Sequence, residues 1–118
     1  MLFIPDDEYE RGMNMNDSQI IRVEERLDSG NAGELKIKAS ELIASGTGKL
    51  ILDLTDTKFI DSIGLGALVS ILKQTAQNDS KVVLTSLSPQ VRQIFELTRL
   101  YRLFDIYESP EDAGGVAG

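Results

Sequence analysis

The chain is 118 residues long, carries a formal net charge of −7, and contains neither cysteine nor histidine. This length suits one compact domain. Without cysteine there is no disulfide or thiol nucleophile, and without histidine the usual general base and the commonest transition-metal ligand are missing. The negative charge argues against nucleic acid and anionic membranes, because both attract basic residues. We expect no metal, no cofactor, no nucleic-acid partner and no direct membrane contact.

The two ends of the chain carry little pattern. The first eight residues lack the basic region and the long apolar run of a signal peptide. No stretch approaches the roughly 18 apolar residues of a membrane-spanning helix, so we expect a cytoplasmic protein. Residues 1–17 are interpreted as an N-terminal segment with a short first strand near 13–15, and residues 114–118 as a flexible tail.

The apolar pattern predicts alternating strands and helices. Strands are expected at residues 18–23, 49–54, 81–85 and 105–107. A first helix is expected over Ala32–Ile43, after a cap at Asp28, Ser29 or Asn31. A second is expected over Leu65–Ala76, with its buried stripe at Leu65, Leu68, Val69, Leu72 and Ala76.

Two further helical segments are expected towards the C-terminus. Ser88 and Pro89 are a typical helix start, and Val91, Ile94, Phe95 and Thr98 follow at helical spacing. Residues 100–104 are a further apolar segment with helical character, and residues 109–113 are expected to form a terminal turn. Strands that alternate with helices favour parallel pairing through right-handed crossovers. We therefore predict an α/β fold with a mixed, mostly parallel sheet of four or five strands and about four helices.

The segment Phe59–Gly66 joins a predicted strand to the start of the second helix. In α/β sheets, function tends to lie at this carboxyl edge. Ser62 falls at the helix start, as a cap or a first-turn residue, where unpaired N–H groups can receive a phosphate. Ser62 is therefore a candidate phosphorylation site, and the simpler alternative is a serine that only caps the helix.

Two glycines, Gly64 and Gly66, fall in the first turn of the same predicted helix. Each glycine costs a helix roughly 1 kcal/mol relative to alanine. Two explanations are open. Either the helix packs tightly on the sheet, or the backbone of another molecule comes close from outside.

The segments Leu52–Leu54 and Phe59–Leu68 closely resemble the signature of STAS domains, which occur in sulfate transporters and anti-sigma factor antagonists. Arg26–Asp28 is similar to the Gly-Arg-Leu-Asp turn of that family, and Ser88–Thr98 is similar to its later helix. Phe104–Tyr107 and Glu111–Ala113 resemble its end. The resemblance covers residues 18–113, which we take as the domain. The chain departs from the family at two positions, since Glu25 and Arg99 stand where glycine is usual.

The resemblance implies a phosphorylation-switched anti-sigma factor antagonist, which is a regulator and not an enzyme. By this likeness Ser62 is the phosphoacceptor of a serine kinase that has a histidine-kinase-like fold and is also the anti-sigma factor. A metal-dependent serine phosphatase removes the phosphate. The unphosphorylated domain binds the kinase and frees a sigma factor. The resemblance places Asp28, Asp61, Ser62, Ile63, Gly64 and Gly66 at the partner surface.

Three other functions can be compared with the sequence. Asp53 and Asp56 could hold Mg²⁺ in an aspartyl-phosphate switch, but no lysine follows Leu84 or Tyr107 as such a switch requires. Gly46–Lys49 lacks the spacing of a nucleotide-binding loop. A non-catalytic subunit of a lipid transporter or another regulatory complex keeps the same fold and remains the alternative.

Overall fold

The computed structural model describes residues 18–114. Its elements are β1 (Ser18–Arg22), β2 (Arg26–Leu27), α1 (Ala32–Ala44), β3 (Lys49–Asp53), β4 (Phe59–Ile60), α2 (Ser62–Gln77), β5 (Lys81–Thr85), α3 (Pro89–Thr98), a 3-10 helix (Leu100–Arg102) and β6 (Asp105–Tyr107). The strand predicted near residues 13–15 lies outside the described residues, as does all but the first residue of the predicted tail.

The main sheet has four strands in the order β1-β3-β5-β6, and every described pairing in it is parallel. In this register Leu50 lies beside Val82 and Leu52 beside Leu84. The predicted α/β fold with a mostly parallel sheet is confirmed. Within residues 18–114 there are three α-helices and one 3-10 helix. The antiparallel pairing that would make the sheet mixed does not occur among these residues.

The core lies mainly between the sheet and the helices. Side chains alternate along each strand, and one set of them packs with residues of all three α-helices in a single buried cluster. The opposite set contributes Ile51 and Val83, which pack with Ala113 of the C-terminal turn. Lys49 donates a hydrogen bond from Nζ to the Ala113 carbonyl oxygen (2.8 Å) and holds that turn against the sheet. Gly46–Lys49 is thus a turn and strand start.

A second, two-stranded parallel sheet pairs β2 with β4. Both strands follow the carboxyl ends of main-sheet strands, β1 and β3, so this small sheet extends the carboxyl edge. The buried Thr57 anchors it by donating from Oγ1 to the Glu24 carbonyl oxygen (2.8 Å). Ser88 donates to the Thr57 carbonyl oxygen (2.9 Å) and so ties α3 to the same loop. Two-residue strands show no alternation, and the sequence pattern therefore did not predict them.

The buried stripe of α2 differs from the expected one. The buried residues are Gly64, Ala67, Leu68, Ile71 and Thr75. Leu65, Val69 and Leu72 are partly buried at the margin of the core, and Ala76 is exposed. Two large side chains, Leu68 and Ile71, are fully buried, and the small residues Gly64, Ala67 and Thr75 beside them let the helix approach the sheet closely. Close approach needs small residues, since interiors are packed at crystal-like density.

The start and end of α3 are set by two different devices. Ser88 accepts a hydrogen bond from the Val91 N–H (3.3 Å) and Pro89 takes the first helical position, as predicted. Arg99 ends the helix in the left-handed conformation, at φ 61° and ψ 18°. Glycine adopts this conformation without steric cost and other residues do not. Arginine therefore replaces the usual glycine at this position with some backbone strain.

Candidate functional site

The start of α2 is held by the small β2–β4 sheet. The Asp61 N–H donates to the Leu27 carbonyl oxygen (3.2 Å), which continues the ladder beyond Ile60. Asp61 is the N-cap of the helix, and its Oδ1 accepts a hydrogen bond from the Gly64 N–H (2.8 Å). A side-chain oxygen at this position satisfies one of the free donors of the first turn. The cap is therefore Asp61, and Ser62 is the first helical residue.

Ser62 is exposed, and within the described residues its hydroxyl makes no hydrogen bond. The backbone N–H groups of Ser62 and Ile63 likewise have no partner in this part of the chain. The Ile63 side chain beside them is 54% exposed. This leaves a hydroxyl, two free donors and an apolar side chain together on one accessible surface.

The two glycines of the first turns have different environments. Gly64 is buried, and a Cβ there would overlap the Leu27 carbonyl oxygen and approach Ile60 Cγ2 to 2.9 Å. Gly66 is exposed, and nothing lies within 4 Å of its added Cβ. Gly64 thus serves close packing of the helix on the small sheet. Of the two, only Gly66 lies on the surface.

Asp28 lies in a closely bonded turn between β2 and α1. Its Oδ1 accepts from the Gly30 N–H (2.9 Å), and its own N–H donates to Asn31 Oδ1 (3.0 Å). Asn31 is the N-cap of α1, but its side chain makes no capping bond and instead donates to the Arg26 carbonyl oxygen (2.7 Å). These hydrogen bonds fix the shape of the turn, in which the Asp28 side chain is only partly exposed beside the small sheet.

Two residues outside the predicted set, Arg26 and Phe59, lie beside Asp28 on the small sheet. Arg26 donates from Nε to Asp28 Oδ2 (3.2 Å), and its guanidinium carbon lies 4.2 Å from the centre of the Phe59 ring. Phe59 is 38% exposed. Arg26 belongs to the quoted turn motif, and Phe59 begins the motif around Ser62. Their pairing across two strands was not visible because the strands themselves were not predicted.

The register brings five of the six candidate residues to one surface. Asp28, Asp61, Ser62, Ile63 and Gly66 lie around the β2–β4 edge and the first turns of α2. Gly64 lies beneath that surface. We call the exposed group Arg26, Asp28, Phe59, Asp61, Ser62, Ile63 and Gly66 the switch surface.

The acidic residues at the end of β3 and in the loop after it have structural roles. The buried Asp53 accepts from the Thr55 N–H (3.0 Å) and hydroxyl (2.6 Å) through Oδ1. Asp56 pairs with Arg22 (3.0 Å). The hydrogen bond and charge of Asp56, together with the charge of Asp53, raise the pKa of the Arg22 guanidinium above its ordinary value. Over residues 18–114 no group of three or more acidic side chains is placed to hold a metal ion.

The STAS domain family model matches residues 13–113 of this chain. The match covers most of the chain, and the chain belongs to the STAS domain family. Over the described range, no helix has both the length and the apolar character that crossing a bilayer requires.

Several relatives are named as anti-sigma factor antagonists. BtrV of Bordetella bronchiseptica is 31% identical over 90 residues, which cover 76% of this chain and 78% of the relative. The anti-sigma-B factor antagonist of Staphylococcus aureus is 30% identical over 91 residues, which cover 77% of this chain and 84% of the relative. The solution structure of protein TM1081 of Thermotoga maritima superimposes with a TM-score of 0.76 at 31% identity, covering 83% and 79% of the two chains.

The two glycines provide a test of the site geometry. Gly64→Ala should destabilise the domain by about 1–3 kcal/mol, because its Cβ meets a backbone oxygen that cannot move without breaking the small sheet. Gly66→Ala should stabilise it by up to about 1 kcal/mol, because the added methyl only improves helix propensity. Urea unfolding of both variants measures the difference. Similar effects in both would show that Gly64 does not pack as described.

Proposed function

We propose that this chain is an anti-sigma factor antagonist controlled by phosphorylation of Ser62. With Ser62 unmodified, the domain binds an anti-sigma factor that is also a serine kinase of histidine-kinase-like fold, and a sigma factor is released. The kinase phosphorylates Ser62 and the complex dissociates. A metal-dependent serine phosphatase restores the binding form. The chain acts in the cytoplasm as a non-catalytic partner, and the names of its relatives support the general role.

One observation carries the proposal: at the start of α2, one residue caps the helix and the next residue is exposed to solvent. Asp61 provides the capping oxygen, so the hydroxyl of Ser62 has no structural task within the described residues. It lies exposed at the first helical position, where a kinase can reach it. A serine that only capped the helix would instead accept the hydrogen bond that Asp61 accepts.

The domain can carry a phosphate at Ser62 without unfolding. A phosphoserine adds about −1.5 to −2 charges at neutral pH. The free N–H groups of Ser62 and Ile63 and the positive end of the helix favour such a charge. No buried contact is broken, because the hydroxyl is already exposed. The phosphate therefore alters the surface and leaves the fold in place.

The same phosphate opposes binding of a partner. Ile63 and Phe59 expose apolar surface beside Ser62, and exposed apolar groups in a cluster mark interfaces. A partner seated on them would have to bury a phosphate of about −1.5 to −2 charges, of which one neighbouring positive side chain balances only part. Burying an uncompensated charge costs several kcal/mol, and about 1.4 kcal/mol already weakens binding tenfold. The energetic cost of burying the phosphate at this one interface is thus sufficient to release the partner.

The phosphoacceptor is tested by replacing Ser62 and a matched serine. Ser62→Ala should abolish phosphate incorporation by the cognate kinase and ATP, and it should change the stability by less than about 0.5 kcal/mol because Asp61 keeps the cap. Ser70→Ala, an exposed serine further along α2, should leave phosphorylation unchanged. Intact mass and urea unfolding provide the two measurements. Equal phosphate incorporation in wild type and Ser62→Ala would refute Ser62 as the acceptor.

The partner surface is tested by a bulky substitution on open helix surface. Gly66→Arg should abolish kinase binding while the melting temperature stays the same or rises, because nothing lies within 4 Å of the added Cβ and arginine is a better helix former than glycine. Ala76→Arg is the control, since this exposed residue lies about 15 Å further along the axis of α2. Calorimetric titration with the kinase compares the two. Undiminished binding by Gly66→Arg would place the interface elsewhere.

A further inference from the structure

Arg26 is an exposed arginine held in one position by two contacts. Its Nε donates to Asp28 Oδ2 (3.2 Å), and its guanidinium carbon lies over the Phe59 ring at 4.2 Å. The side chain is nonetheless 61% exposed, and its partner Asp28 is 26% exposed. An exposed ion pair of this kind contributes little to stability, typically below about 1 kcal/mol. The guanidinium is therefore oriented by its neighbours and is free to exchange partners.

The strand register places Arg26 on the strand that lies beside the segment leading into Ser62. Arg26 pairs with Phe59 and Leu27 with Ile60 in the parallel β2–β4 sheet. The hydrogen bond from the Asp61 N–H to the Leu27 carbonyl oxygen continues the alignment by one residue. The backbone of Asp28 therefore lies beside that of Asp61, at the spacing of about 5 Å that separates neighbouring strands. The guanidinium, which is bound to the Asp28 carboxylate, thus lies next to the backbone that leads into Ser62.

We propose that Arg26 is the counter-ion of phosphoserine at position 62, an inference that rests on the proposed function. On phosphorylation the guanidinium leaves the singly charged Asp28 carboxylate and donates to the phosphate oxygens. Arginine suits this exchange because its planar fork of donors matches a phosphate, and such charge-assisted hydrogen bonds strengthen with the charge of the acceptor. The Phe59 ring supports the guanidinium throughout the exchange.

The exchange couples the phosphate to a second part of the switch surface. Asp28 loses its positive partner when Arg26 moves, while its bond from the Gly30 N–H keeps the turn in shape. The partner then meets a phosphate at Ser62 and an unpaired carboxylate at Asp28. One modification therefore changes the charge at two places, without a change of backbone.

The charged groups around the phosphate define the test. They are Asp61 on the helix cap, Asp28 and Arg26 on the neighbouring strand and turn, and Lys58 just before β4. A nearby positive charge lowers the second pKa of a phosphate, and the carboxylates raise it. Removing Arg26 should consequently raise that pKa, because the positive charge is lost while both carboxylates remain.

The experiment installs phosphoserine at position 62 during synthesis of the full chain and measures its second pKa by ³¹P NMR titration. The pKa should be about half a pH unit higher in Arg26→Ala than in the unsubstituted chain. Arg26→Lys should recover part of the difference, since it keeps the charge but not the fork. Arg102→Ala is the matched control and should cause no shift. The start of α3 contacts the Thr57 loop through Ser88, whereas Arg102 lies beyond the opposite end of that helix.

An unchanged pKa in Arg26→Ala would overturn the inference, and so would a shift caused by Lys58→Ala but not by Arg26→Ala. Neither result depends on the kinase, because the phosphate is introduced chemically. Failure of the proposed function would instead show as absence of phosphate at Ser62 after incubation with the kinase. The two failures are therefore distinguishable.

Discussion

The cap at the start of α2 is the constraint on which the site depends. The Gly64 N–H is bound by the Asp61 carboxylate, and the missing side chain of Gly64 lets the helix lie directly on the Leu27 carbonyl oxygen. These two contacts join α2 to the β2–β4 sheet and set the direction in which Ser62 and Ile63 point. Because Asp61 and Gly64 on either side make these contacts, Ser62 and Ile63 are left accessible at the surface.

The main architecture was predictable from the sequence, and the small sheet was not. Apolar runs such as Leu50–Leu52 and Val82–Leu84 identify buried parallel strands, and the Ser88–Pro89 pair identifies a helix start. Strands of two residues have no period to detect. Arg99 in the left-handed conformation has no signature either, because the usual glycine is absent there.

The grouping of most candidate residues at the start of α2 and the neighbouring turn could be predicted from the sequence, but the packing role of each residue could not. Asp61 and Ser62 are both good capping residues, so their order alone could not show which one accepts the bond from Gly64. Gly64 and Gly66 likewise look equivalent in the sequence, and only the packing of the folded domain distinguishes the buried Gly64 from the exposed Gly66. The position of Arg26 against Phe59 could not be predicted, because it depends on the pairing of two strands whose partner residues are 33 positions apart in the sequence.

The central claim is that phosphate at Ser62 prevents partner binding through local charge and bulk while the fold is retained. The most direct measurement compares the kinase affinity of the unmodified chain with that of the chain carrying phosphoserine at position 62, with amide NMR spectra of both forms. The account predicts a loss of at least about 100-fold, equivalent to about 2.7 kcal/mol, with spectral changes confined to the switch surface and its neighbours. Equal affinities, or a phosphorylated form whose spectrum changes throughout the sheet, would contradict it.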